Sequence, residues 1–127
     1  MSYEVILQDV SGVVQVPTHL HVSCDTFLDH RLDSEGRLYP GSSRAELNIT
    51  SNYRPIFVEL WGKEGIKRLY GKKAHSTIEG LEEAVALLGT ERSDNPWELT
   101  RGNVGHVLSI LLEWARMHPD ATWKILG

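Results

Sequence analysis

The segment Thr100-Arg101-Gly102-Asn103-Val104-Gly105-His106 holds the residue types best suited to chemistry, at the start of a helical pattern. The first N–H groups of a helix lack intrahelical partners and the macrodipole is positive there, so such a terminus can hold an anion. Trp97, Thr100, Arg101 and Asn103 bring an aromatic ring, a hydroxyl, a guanidinium and a carboxamide to that terminus. A second polar set, Asn48, Thr50, Asn52 and Tyr53, projects from one strand edge and the turn that follows it. If the two sets meet across the fold, they form a pocket suited to a small anionic or nucleotide-like ligand. The competing reading needs no ligand: Thr100 caps a helix, Asn52 makes a turn and Trp97 covers the core.

Other constellations are weaker. His19 and His21 share one face of an extended segment, with Cys24 and Asp25 nearby, and these are zinc-type ligands. Their spacing matches no metal signature, and six histidines in 127 residues make a chance pair unsurprising, so no metal site is expected. Serine, histidine and aspartate are plentiful, but the G-x-S-x-G elbow that exposes a nucleophile between strand and helix is missing. Gly41-Ser42-Ser43 lacks the second glycine, and Glu82-Glu83 reads as a solvated helix face. No reaction and no cofactor is named by these residues, and the balance falls towards a protein that is not an enzyme.

The elements that must position these groups are legible from periodicity. Tyr3, Val5 and Leu7 alternate with Glu4, Ile6 and Gln8, and after Asp9-Val10-Ser11-Gly12 a second run, Val13 to Val16, completes a hairpin that Pro17 breaks. A further short strand fits Leu20–Ser23, and the polar stretch 25–43 reads as an irregular arm. From Arg44 the apolar Ala45, Leu47 and Ile49 alternate with Glu46, Asn48 and Thr50, giving a strand with one amide- and hydroxyl-bearing face. Pro55 sits early in a short helix, where its missing N–H does no harm, and Ile56, Phe57, Leu60 and Trp61 share one side of it. Ile66 to Tyr70 forms a second short helical piece.

Ser76-Thr77-Ile78-Glu79 has the form of a capping box, opening a helix that Gly89 terminates. The last helix, from Arg101 to Met117, is apolar over most of its circumference, with Gly102, His106, Ser109 and Glu113 in one narrow stripe. Such a helix is buried on more than one side, between the sheet and either another helix or a second subunit. The second arrangement predicts a homo-oligomer, most simply a symmetric dimer. Thr122 to Ile125 closes the chain as a strand. The expected fold is one α+β domain over residues 1–127, a small, mostly antiparallel sheet packed against two or three helices.

Composition narrows the partners. With 41% hydrophobic residues the chain supports a single core, and no apolar run approaches the ~20 residues of a membrane span. A single cysteine and no basic-then-apolar leader fit a reducing cytoplasm. The net charge of −4, with basic residues scattered apart from Lys67, Arg68, Lys72 and Lys73, argues against a non-specific nucleic-acid binder.

Four segments, Ala45 to Phe57, Gly65 to Lys72, Asn95 to Asn103 and His118 to Trp123, together resemble small proteins encoded by tailed bacteriophages and prophages. The resemblance implies a bacterial host cytoplasm and transfers no catalytic residue. Three functions follow as expectations. The first is a non-enzymatic accessory protein that binds a small anionic or nucleotide-like molecule, or a host protein, and so counters a defence or redirects metabolism. The second is a small virion or assembly protein using residues 25–43 as an arm. The third is a small hydrolase using His19, His21 or His106.

Overall fold

A computed structural model describes residues 2–17 and 42–127. The short strand read at Leu20–Ser23, the possible ligands His19, His21, Cys24 and Asp25, and the arm up to residue 41 lie outside the described residues.

The fold is α+β, built on the first strand. Strand β1 (Ser2–Asp9) turns through Val10 and Ser11 into β2 (Gly12–Val13), with Gln8 opposite Val13. Strand β3 (Gln15–Pro17) then leaves β1 and pairs antiparallel with β4 (Ser42–Arg44), which begins two residues earlier than the alternation suggested. Strand β5 (Glu46–Thr50) continues from β4 and pairs antiparallel with β1, setting Glu4 opposite Asn48. The handover between partners is fixed by three backbone bonds: Leu7 N–H to Ala45 O, Ala45 N–H to Val14 O, and Val14 N–H to Leu7 O. Strand β6 (Thr122–Leu126) takes the other edge of β1. Its own outer edge is met by residues 71–74, through Gly71 N–H to Trp123 O, Trp123 N–H to Lys72 O and Ala74 N–H to Ala121 O.

Alternation along β1, β5 and β6 sends Tyr3, Val5, Leu7, Leu47, Ile49, Trp123 and Ile125 into one buried cluster. Burying each of these side chains stabilises the fold by about 1.5–3 kcal/mol relative to leaving it in water. Helix α1 (Arg54–Trp61) follows a 3₁₀ turn at Ser51–Tyr53 and carries Pro55 in its first turn, as the sequence predicts. Phe57 anchors it, edge-on to Tyr3 and Tyr53 and stacked with Trp61 at 6.1 Å between ring centroids. A 3₁₀ segment, Gly65–Leu69, follows, with Ile66 and Leu69 buried.

The start of helix α2 (Ile78–Leu88) differs from the capping box read in the sequence. Ala74–Thr77 form a 3₁₀ turn, and no side chain caps the helix at Thr77. The Thr77 hydroxyl instead donates to Ala74 O and accepts from the buried indole N–H of Trp123 at 2.9 Å, while Ser76 Oγ donates to Lys73 O. A long-range bond to β6 outcompetes the local motif, because a buried indole N–H without an acceptor is costly. Gly89 ends α2 at φ +75°, a backbone conformation natural to glycine.

Helix α3 (Arg101–Met117) buries residues around most of its circumference, from Asn103 to Ala115, and packs along α2 as well as into the sheet cluster. Of the two arrangements its apolar surface allowed, the intrachain one is found. The expected homo-oligomer is therefore left without the surface that motivated it.

Candidate functional site

The polar residues singled out in the sequence fall into three situations. Asn48 stands on the outer face of the sheet, where its Nδ2 lies 3.0 Å from Ser2 Oγ and 3.4 Å from Glu4 Oε1. Thr50 accepts from Asn52 N–H at 3.2 Å, a turn bond at the end of β5. Asn52, Tyr53, Trp97, Thr100, Arg101 and Asn103 are brought towards one another. Asn52 Nδ2 donates to Trp97 O at 3.0 Å, and the buried Tyr53 hydroxyl donates to Pro96 O.

Within that group the hydrogen-bonding atoms serve one another. Asn103 is fully buried: its Oδ1 accepts from Ser93 N–H, and the two hydrogens of Nδ2 are shared among three acceptors within 3.1 Å, Ser93 Oγ, Asn95 O and Glu98 O. The Thr100 hydroxyl accepts from Asn103 N–H at 3.0 Å, occupying one of the free amides of the helix terminus. Arg101 reaches across to Glu59 on α1 at 3.4 Å, with both side chains about half exposed. The connector also closes over the helix. A Cβ on Gly102 would collide with Glu91 O, and one on Gly105 with Gly89 O, so backbone lies directly on this end of α3. The arrangement fastens residues 89–100 to α3 and ties them to the turn after β5.

A different set of residues forms a strongly cationic concavity. A groove of about 1160 Å³ runs between the start of β1, the first turns of α1 and the Gly65–Leu69 segment. It is lined by Arg54, Lys63, Lys67, Arg68 and Lys72, with Glu64 as the one acidic side chain and Gly127 also on its wall. Arg68 donates to Trp61 O at 3.4 Å, and no ion pair joins Arg54, Lys63, Lys67 or Lys72 to a described residue. Tyr70, 57% exposed, stands on the same wall. The cations come from four places in the chain, Lys63 standing in the turn between α1 and the 3₁₀ segment. The 3₁₀ segment supplies Lys67 and Arg68, Arg54 opens α1, and Lys72 is fixed by the pairing of residues 71–74 with β6. The sequence signal was the local group Lys67, Arg68, Lys72 and Lys73. Lys63, four residues before Lys67, extends that local group, Arg54 joins it only in three dimensions, and Lys73 turns aside to donate to Asp120 O.

The hydrolase materials are arranged otherwise. His106 on α3 lines a shallow groove with Glu82, Ser109, Glu113 and Arg116. Desolvation by burial, with Arg92 adding repulsion, lowers its pKa from 6.5 to about 4, so the imidazole is neutral at pH 7. One turn on, the Ser109 hydroxyl donates to the His106 carbonyl oxygen at 2.6 Å, so this pair is not set as nucleophile and base. Among the described residues no three His, Cys, Asp or Glu side chains gather closely enough to hold a metal ion. Nor is any helix of the described residues long and apolar enough to cross a membrane.

No protein-family model, curated protein or solved structure matches the chain.

Proposed function

We propose that this is a non-enzymatic accessory protein that binds an anionic partner in the groove lined by Arg54, Lys63, Lys67, Arg68 and Lys72. One observation carries the reading: a chain of net charge −4 gathers five cationic side chains around one concavity with a single acidic side chain among them. Like charges held together destabilise a fold slightly, and a cleft lined by one sign concentrates its field and draws in the opposite charge. In the phage context implied by the resemblance, the partner is a host component, and binding it counters a defence or redirects metabolism. The polar cluster around Asn103 contributes rigidity to the same domain rather than the binding surface.

Calorimetric titration with a panel of anionic probes tests this: tripolyphosphate, ATP and an oligoglutamate peptide, at low and moderate salt. At least one probe binds, its affinity falls with salt, and Lys63→Glu together with Lys67→Glu weakens it tenfold or more. Absence of binding by every probe, or indifference to the double reversal, overturns the reading.

A further inference from the structure

Arg68 and Lys72 line a second groove as well as the basic one. This neighbour, about 560 Å³, lies between the end of α1 and helix α2, and its apolar lining is Leu60, Trp61, Leu69, Leu81, Ala84 and Leu87. Leu87 is 62% exposed there, an apolar side chain left in water at the groove wall. On the basic side Val58 and Tyr70 are exposed too. Charge and apolar surface are thus contiguous, joined through two cations common to both grooves.

We infer that the partner is a segment of another protein in which acidic side chains stand beside a bulky apolar anchor. The inference rests on the reading that the basic groove takes an anion, and it adds the partner's class. Sites for small molecules are concavities of about 300–1000 Å³ that enclose most of the ligand. Here two open grooves of about 560 and 1160 Å³ lie side by side, more space than a small anion fills. A polypeptide suits both halves: its carboxylates meet Arg54, Lys63 and Lys67, and its apolar side chain covers Leu87 and Trp61. Nucleic acid suits them less well. Glu59 and Glu83 line the apolar groove and Glu64 the basic one, and carboxylates there repel a phosphate chain but leave an uncharged anchor unaffected.

Selection of binders to the full-length protein from a random 12-residue peptide library tests the inference without presupposing a sequence. Enriched peptides are expected to pair acidic residues with a neighbouring Leu, Ile, Phe or Trp. Leu87→Glu and Lys72→Glu, both at exposed positions, should each weaken a selected peptide tenfold or more with the melting temperature retained. Lys124→Glu, on the outer face of the sheet, should leave it unchanged. Enrichment of purely acidic peptides, or indifference to Leu87→Glu, overturns the inference while the anion-binding groove stands. If enrichment fails and the anionic probes above fail as well, both readings fall. A fluorescent oligothymidylate that binds more tightly than any selected peptide and is lost on Lys72→Glu also overturns it, in favour of a single-stranded nucleic acid.

Discussion

Asn103 and Ser93 hold each other by two bonds in opposite directions: Ser93 N–H donates to Asn103 Oδ1 at 2.9 Å, and Asn103 Nδ2 donates to Ser93 Oγ at 3.0 Å. A reciprocal pair of this kind fixes both the side-chain amide and the connector backbone. The same Nδ2 also reaches the carbonyls of Asn95 and Glu98, so one buried carboxamide organises most of the connector before α3.

Truncating it removes these part-buried bonds and empties a buried side-chain position. Asn103→Ala should destabilise the fold by about 1–3 kcal/mol, the range for removing one partner of partly buried hydrogen bonds. Asn103→Asp keeps the acceptor for Ser93 N–H, loses the donors and sets a carboxylate against two carbonyls, so it should be no better tolerated. Urea denaturation followed by tryptophan fluorescence measures both. A loss below about 0.5 kcal/mol, typical of surface changes, would show that the connector holds without this residue.

Local pattern carried most of the fold. Alternation of Tyr3, Val5 and Leu7, and of Ala45, Leu47 and Ile49, reads directly as the inner face of a sheet, and Thr100 and Gly89 mark helix ends through chemistry that is local to them. The Ser76 to Glu79 motif misled because Thr77 answers to Trp123, 46 residues away, a competitor that no local window contains. The candidate site was legible only in part, for a related reason. Polar residues around Asn103 were visible as a group, but whether their bonds face a ligand or each other depends on the path of residues 89–100. Likewise Arg54 becomes a neighbour of Lys67 and Lys72 only when α1 folds beside the 3₁₀ segment.

Two glycine substitutions in helices should have opposite signs. Gly80 on α2 has open space where a Cβ would go, so Gly80→Ala should stabilise by up to about 1 kcal/mol through helix propensity. Gly105 on α3 lies beneath Gly89, whose carbonyl oxygen occupies that space, so Gly105→Ala must displace the connector and should cost about 2 kcal/mol or more despite the same propensity gain. Thermal melts of the two variants decide it, and equal shifts of the same sign would refute the packing argument.

The depressed pKa of His106 predicts a pH dependence of defined direction. Unfolded, the imidazole takes a proton near pH 6.5; folded, it resists protonation until about pH 4. Above pH 6.5 both states are neutral and its contribution is fully present. As pH falls from 6.5 towards 4 the unfolded state binds the extra proton, so stability declines, and the loss levels off below the folded value. Comparing wild type with His106→Gln between pH 7.5 and 5, before most carboxylates titrate, isolates the effect. The variant should show the shallower decline, and parallel curves would mean that His106 titrates normally.

Arg101 separates two cationic places on the molecule, the start of α3 and the basic groove. At the helix terminus Thr100 already fills one amide, and the guanidinium faces Glu59 at 3.4 Å, an exposed pair worth about 0–1 kcal/mol. Arg101→Ala should therefore shift stability by no more than about 1 kcal/mol and leave the affinity for the best anionic probe within about twofold. Thr100→Ala should cost about 1 kcal/mol through loss of the cap, with affinity again unchanged. Lys67→Glu should do the reverse, weakening the probe at constant stability, because Lys67 is exposed and lines the basic groove. A tenfold loss of affinity in Arg101→Ala, with Lys67→Glu indifferent, would return the binding site to the start of α3, and with it the pocket first suggested by Asn52, Trp97 and Asn103.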